Sequence, residues 1–195
     1  MASTAPARAP SLQPQDWLRA AQLRLSRQGV DSVRVEVLAR DLGVSKGSFY
    51  WHFRDRGELL DRLLANWEDA EVDWLNEEGG AGAATRWAKF IARTSNPERM
   101  RMEVALHAWA RADERVAARI AALEKRKARL IADVLHEIGF AQAAAGSWSE
   151  IVLLICLGWI DRATRDRQFE LAGRGLGETL SEFILAASTP ASARE

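Results

Sequence analysis

The chain has a single cysteine, Cys156, in 195 residues, so no intrachain disulfide can staple it and a reducing cytoplasm is the expected setting. A long apolar run is also lacking. The longest, Ile151 to Ile160, is about half of the roughly 20 residues that a membrane span requires, which points to a buried helix and no membrane partner. His52, His107 and His136 share no metal-ligand spacing, so neither a metal nor a cofactor is expected. A nucleophile elbow, paired catalytic acids and a phosphate-binding loop are all missing. Gly173, Gly175 and Gly177 follow a helical stretch, not a strand, and read as a flexible connection. With the usual routes to catalysis absent, the chain is not expected to be an enzyme.

Net charge is absent too, with 27 Lys and Arg against 27 Asp and Glu. The balance hides an asymmetry. Residues 1–60 carry nine basic against six acidic side chains, and residues 61–195 carry eighteen against twenty-one. A basic front and an acidic body is the distribution expected when one end of a chain meets phosphate.

What is present is helical periodicity from end to end, with no convincing alternation of the strand type. Residues 1–14, rich in Ala, Pro and Ser, read as a flexible arm and not as a secretory signal. Asp16 to Gln28 places Leu18, Ala21 and Leu25 on one face and stops at Gly29. Short helices are expected at Val35–Leu42 and Lys46–Phe53, with the Ser45 hydroxyl capping the second. Asp55 and Glu58 have capping-box spacing ahead of a long helix to Glu78, whose stripe is Leu60, Leu63, Trp67, Ala70 and Trp74. Further helices are expected at about Ala83–Thr94, from Asn96-Pro97 to Arg111 and from Glu114 to Ile138. A second capping-box spacing at Ser147 and Glu150 would open a helix over Trp148–Arg165, and the last would cover Leu176–Ala187. The fold class is all-α with about nine helices: a three-helix head at residues 15–60, a helical body at 61–187 and a loose tail at 188–195.

The most informative stretch is Val35 to Phe53, VEVLARDLGVSKGSFYWHF. Ala39, Gly43 and Val44 fall where two short helices cross, a place that needs a small residue, a tight turn and a plug. Leu38, Leu42, Phe49 and Phe53 can fill the small core beneath. The opposite face leaves Lys46, Gly47, Ser48, Tyr50, Trp51 and His52 for a partner. They offer a cation, hydroxyls, an imidazole and bare backbone, the groups that reach phosphates and base edges. Trp51 is a large apolar residue expected at the surface, which favours a contact role.

Arg34 to Leu60, around the GVSKGSFYWHF core, resembles the DNA-binding domain of TetR-family regulators. The preceding helix ending in Gln28-Gly29 and the following Asp55-Arg56-Gly57-Glu58-Leu59-Leu60 match as well, so the resemblance covers about residues 16–64. It implies a helix-turn-helix head on double-stranded DNA and a body that takes a small molecule and forms a homodimer. The implied activity is repression at a palindromic operator, relieved by ligand. Position by position, it implies base or backbone contacts in the groove for Lys46, Gly47 and Ser48, and phosphate contacts for Tyr50, Trp51 and His52. Arg56 stands where the family usually has Lys. Val35 stands where the family often has a phosphate-binding Thr, so Arg34 is the candidate for that role, and Ser45 completes the expected DNA surface. A helical enzyme or ligand carrier with a vestigial head is one rival reading, which DNA retention at low salt tests, and a regulator with a collapsed, ligandless body that responds to a protein partner is the other.

Of eight tryptophans, Trp17 is expected in the core. Trp67, Trp74, Trp87 and Trp109 sit on helices that build the ligand cavity in similar proteins, and with Met102 and His107 they form the expected ligand set. The expected effector is small, apolar and aromatic or planar. Few Lys or Arg residues fall on the inward stripes, so a multiply anionic ligand is not expected. Lys125-Arg126-Lys127 with Arg129 reads as a solvated face. Ile151, Leu154, Ile155, Gly158 and Trp159, with Leu180, Phe183 and Ile184, are more apolar residues than a lone helix pair shows to water, and are expected to form a four-helix dimer interface.

Overall fold

The structure, a computed structural model, describes residues 12–77, 82–166 and 176–188. Among these residues the regular structure is entirely helical, with nine α-helices and one 3-10 turn. The chain divides into two compact units, one ending at Asn66 and the other starting at Trp67.

The first unit contains α1 (Pro14–Gln28), the 3-10 turn Val30–Ser32, α2 (Val35–Asp41), α3 (Lys46–Tyr50) and the start of α4 (Arg56–Glu77). Helix α1 begins two residues earlier than its periodicity suggests. Pro14 occupies the first turn, where it has no N–H to waste, and the Gln13 N–H donates to Asp16 at 2.8 Å. Trp17, Leu38 and Phe49 are fully buried, with Trp17 edge-on to Phe49 at 5.2 Å and Phe53 stacked on Phe49 at 5.3 Å. Trp17 is thus a core residue, as its place in the sequence suggests.

The second unit contains the rest of α4, α5 (Ala83–Thr94), α6 (Pro97–Ala110), α7 (Glu114–Glu137), α8 (Gln142–Arg165) and α9 (Leu176–Ser188). Asn96 caps α6 by accepting from the backbone N–H groups of Glu98 and Arg99. Helix α8 corrects the expected start at Trp148. It begins at Gln142, and Ser147 lies inside it with its hydroxyl on the Ala143 carbonyl, because the alanine run ahead of Ser147 continues the helix as readily as the apolar residues after it. At this length α8 is long and apolar enough to cross a membrane by length and composition. In this fold Val152, Leu153, Cys156 and Ile160 are buried on it, and it packs against α6 and α7. The body core joins Phe90, Ile131, Leu135, Val152, Leu180 and Ile184. Gly177 lets α9 close on α5, since a Cβ there would run into the Ile91 side chain.

Candidate nucleic-acid interface and ligand cavity

The turn between α2 and α3 depends on Gly43, whose φ of 68° lies in the left-handed region that glycine adopts without penalty. The Val44 N–H then donates to the Ala39 carbonyl at 2.9 Å, and buried Ala39 keeps the crossing tight. Phe49 and Phe53 pin α3 to the core from beneath. What remains outside is the set expected to meet a partner. Lys46, Gly47, Tyr50 and Trp51 are exposed, Trp51 by 87%, and Ser48 and His52 are half-buried. A tryptophan left that far in water costs hydrophobic free energy that only a partner can recover.

Charge on this face is held in exchangeable pairs. Lys46 Nζ lies 2.9 Å from Glu36, and this hydrogen bond holds the Glu36 carboxyl below its ordinary range. Arg24 grips Asp41 with two hydrogen bonds of 2.6 Å, joining α1 to α2. Two sequence expectations need correction. Helix α3 ends at Tyr50 and not at Phe53, so Trp51 and His52 lie on the turn that follows it. Ser45 occupies the N-cap position, yet its side chain makes no capping hydrogen bond. Arg56 donates to the carbonyls of Val33 and Val30 at 2.5 and 2.6 Å, so its guanidinium braces the segment ahead of α2. Arg34, at the N-cap of α2, is exposed.

The body holds a cavity of about 40 Å³, measured as space open to the centre of a water molecule. That is room for a few waters. Its apolar lining includes Trp74, Phe90, Met100, Leu153, Cys156 and Ile160, and its charged lining includes Glu71, Arg93, Arg99, Glu103, Glu124 and Lys127. Glu71, only 1% exposed, receives Arg93 at 2.8 Å and Lys127 at 3.4 Å and is also in contact with Arg99. Lys127 reaches Glu103 at 2.9 Å. Burial alone would raise the Glu103 carboxyl, but Lys127, with smaller help from His107 and Arg99, holds it below the ordinary range. Burial also lowers the Arg99 guanidinium and pushes the Cys156 thiol up to about 12, so the thiol stays protonated at neutral pH.

Residues 18–63 match the family model described as bacterial regulatory proteins, tetR family. The same head is 46% identical over 52 residues to the tetracycline repressor protein class A from transposon 1721 of Escherichia coli, covering 27% of this chain and 24% of that protein. It is 42% identical over 50 residues to the HTH-type transcriptional regulator AcrR of Shigella flexneri, covering 25% of this chain and 22% of the relative. Residues 18–63 form a DNA-binding head of the tetR type. The matched stretch spans about a quarter of each of these two relatives, and family and relatives are transcriptional regulators, not enzymes. The likeness in fold is wider. A transcriptional regulator from Rhodococcus sp. Rha1 superposes with a TM-score of 0.69 at 20% identity, covering 92% of this chain and all of that one. Salmonella enterica GusR superposes with a TM-score of 0.61 at 18% identity, covering 90% and 98%.

Of the expected ligand set, Trp74 alone lines the cavity. Trp67 turns its ring to the Lys127 ammonium at 5.7 Å, and Trp87 donates through Nε1 to Ser181 at 2.6 Å while packing on Phe90. Met102 and Trp109 are buried elsewhere. They follow Met100 by two and nine residues on α6, which at 3.6 residues per turn puts both roughly on the opposite side of the helix. His107 is not itself in the lining. It sits 3.6 Å from Glu124 and 4.0 Å from Glu103, two carboxylates that are. The charged wall was overlooked, although its signal was in the sequence. Glu71 and Lys127 each interrupt an apolar helical stripe, four residues after Trp67 and Leu123. Ala70, assigned to the stripe of α4, is exposed and Glu71 is buried in its stead. Lys127 likewise leaves the solvated basic face to Lys125, Arg126 and Arg129, which are exposed.

Of the expected dimer residues, Ile151, Leu154, Ile155 and Gly158 are exposed along one face of α8, Leu154 by 68%. Trp159, Leu180 and Ile184 are buried in the chain's own core and so are not free to meet a second copy. The side chain of Phe183 lies outside the described residues, as do Gly173 and Gly175.

Proposed function

We propose that the chain is a ligand-responsive transcriptional repressor that binds a palindromic operator as a homodimer in the cytoplasm. The observation that carries the DNA reading is the exposed set Lys46, Gly47, Tyr50 and Trp51, held out by a helix-turn-helix of the tetR type. Lys46 and Ser48 are assigned to the major groove. Tyr50, Trp51, His52 and Arg34 are assigned to phosphates, with Ser45 at the edge of the same surface. Arg56 is assigned to bracing the head. The division of labour follows the proposed domains, with DNA reading at 15–60 and ligand binding and dimerisation at 61–187.

The homodimer reading is supported by the stripe Ile151, Leu154, Ile155 and Gly158, spaced so that one helix face is apolar and open. Two copies would bury it with isologous symmetry, and the half-site centres would then lie about 34–36 Å apart on the DNA or a simple multiple of that. Repression is supported by the repressor among the relatives. Release by ligand follows if the effector binds the body more tightly in an arrangement that no longer matches the two half-sites.

A mobility-shift assay with DNA flanking the chain's own gene tests the reading. Lys46→Ala is expected to weaken binding by about 1–3 kcal/mol if the contact is to a base, with the head still folded. Unchanged binding would remove Lys46 from the interface, and a protein that retains no DNA at low salt would defeat the whole reading. Leu154→Asp is expected to yield a monomer by light scattering and to abolish symmetric footprints.

A further inference from the structure

The charges lining the body cavity are unevenly matched in hydrogen-bonding type. Two guanidinium groups and an ammonium, all donors with no acceptor, converge on the two oxygens of Glu71: Arg93 and Arg99 both reach Oε1, and Lys127 faces Oε2. Lys127 is shared with Glu103. Arg99 has no other side-chain or carbonyl acceptor among the described residues, and its guanidinium is partly desolvated. Glu124, the remaining carboxylate of the wall, faces His107 at 3.6 Å. The lining also has uncharged members, Trp74, Phe90, Met100, Leu153 and Cys156, with the Arg93 guanidinium over the Trp74 ring at 4.8 Å and the Cys156 thiol neutral.

We infer that the effector is a small monocarboxylate with an apolar body, whose carboxylate competes with Glu71 for Arg99 and Arg93. This inference rests on the reading that the body takes an effector. A cationic ligand has Glu124 alone to meet without competition, in a cavity that Arg93, Arg99 and Lys127 also line; to take Glu71 or Glu103 it would leave a buried guanidinium or ammonium without its counter-charge. A neutral apolar ligand would leave the donors of Arg99 as they are and gain nothing from the charged wall. A carboxylate supplies Arg99 and Arg93 with an acceptor in place of Glu71, and its apolar body meets Trp74 and Met100. A dianion would bring a second uncompensated charge to a site that already holds Glu71 and Glu103. Because the cavity has room for only a few waters, entry must displace something. Glu71 is the group whose place the ligand's own carboxylate can take.

Glu71 is then a resident anion in an anion site, and removing it should open that site to carboxylates from solution. In Glu71→Ala, acetate at tens of millimolar is expected to raise the melting temperature well beyond the effect of chloride at equal ionic strength. Wild type should show no such selectivity, and adding Arg99→Met should abolish it. Equal response to acetate and chloride in Glu71→Ala would overturn the inference. Should that variant fail to fold, Glu71→Gln keeps the shape and removes the charge. By calorimetry it is expected to bind 2-naphthoate about tenfold more tightly than wild type, the scale of one charge-assisted hydrogen bond. Equal or weaker binding would again overturn the inference. The same ring tested as 2-naphthylmethylamine and 2-naphthylmethanol separates the two levels of the argument. If either of these binds wild type and releases DNA where 2-naphthoate does not, the charge assignment falls and the effector reading stands. If no probe of any charge binds either protein and acetate gives no rescue, both fall.

Discussion

The head and the body place their charges in opposite environments. In the head the ion pairs Lys46–Glu36, Arg24–Asp41 and Arg62–Glu58 lie at the surface, over a core of Trp17, Leu38 and Phe49 that carries no formal charge. In the body Glu71, Glu103 and Arg86 are buried. Exposed pairs contribute little to stability and are easily traded, so Lys46 can leave Glu36 for a phosphate or a base at small cost. Buried ions cannot be traded without a replacement of the same sign, since desolvation makes an orphaned charge expensive. The head's surface pairs are thus suited to exchange with a polyanion that arrives from water, and the body's buried ions only to exchange with a replacement of the same sign.

The sharpest way to break the comparison is to attack each core with its own weapon. Trp17→Ala removes a fully buried ring from the head and is expected to cost about 3–5 kcal/mol. Chemical denaturation should show the head's transition moving to lower denaturant with the body's transition in place. A joint shift of both would mean that the two units are not separately stabilised.

Lys127→Met does the corresponding damage in the body without opening a void, and is expected to cost up to about 3–5 kcal/mol because Glu71 and Glu103 both lose a partner. Its pH dependence identifies the cause. In wild type the Glu103 pKa is depressed, so its contribution is fully present above the ordinary carboxylate value and is lost as pH falls through the lower folded value. With Lys127 gone, burial, already the largest single influence on Glu103, is no longer outweighed and the folded pKa rises, so protonation relieves the penalty. Melting curves of both proteins between about pH 4 and pH 7 should therefore converge toward the acid end. A deficit independent of pH would assign the loss to packing.

The smallest expected effect is in the head. Gly47→Ala adds a Cβ that meets only the Ser45 hydroxyl at 3.6 Å, an ordinary contact. Stability is expected to rise by up to about 1 kcal/mol, because alanine is the better helix former. Operator affinity is expected to fall, because the methyl would stand where DNA needs bare backbone. Raised stability with unchanged affinity would place Gly47 outside the close approach.

The two regions also differ in how much their sequences disclose. The head is written in neighbouring residues: Gly43 at the turn, Ala39 at the crossing, and Phe49 and Phe53 inside with Lys46 and Trp51 outside all lie within one short stretch. What it does not disclose is the bracing by Arg56, whose acceptors are backbone carbonyls of Val30 and Val33. Backbone acceptors exist at every position, and nothing in the residue types there marks these two.

By itself the sequence determined the all-helical class, the helix-turn-helix with its exposed face, and the apolar stripes, because each depends on spacing along a single helix or across one turn. The tertiary structure alone decided which side chains share the cavity. Glu71, Arg93, Arg99 and Lys127 come from four different helices, and their meeting depends on how α4, α5, α6 and α7 are rotated about their own axes. Periodicity shows that a helix has an inward face, but it does not specify which inward positions of one helix oppose those of another. A buried carboxylate and its three cations therefore read, one helix at a time, as polar interruptions of apolar stripes. They become a single buried ion cluster only once the helices are packed.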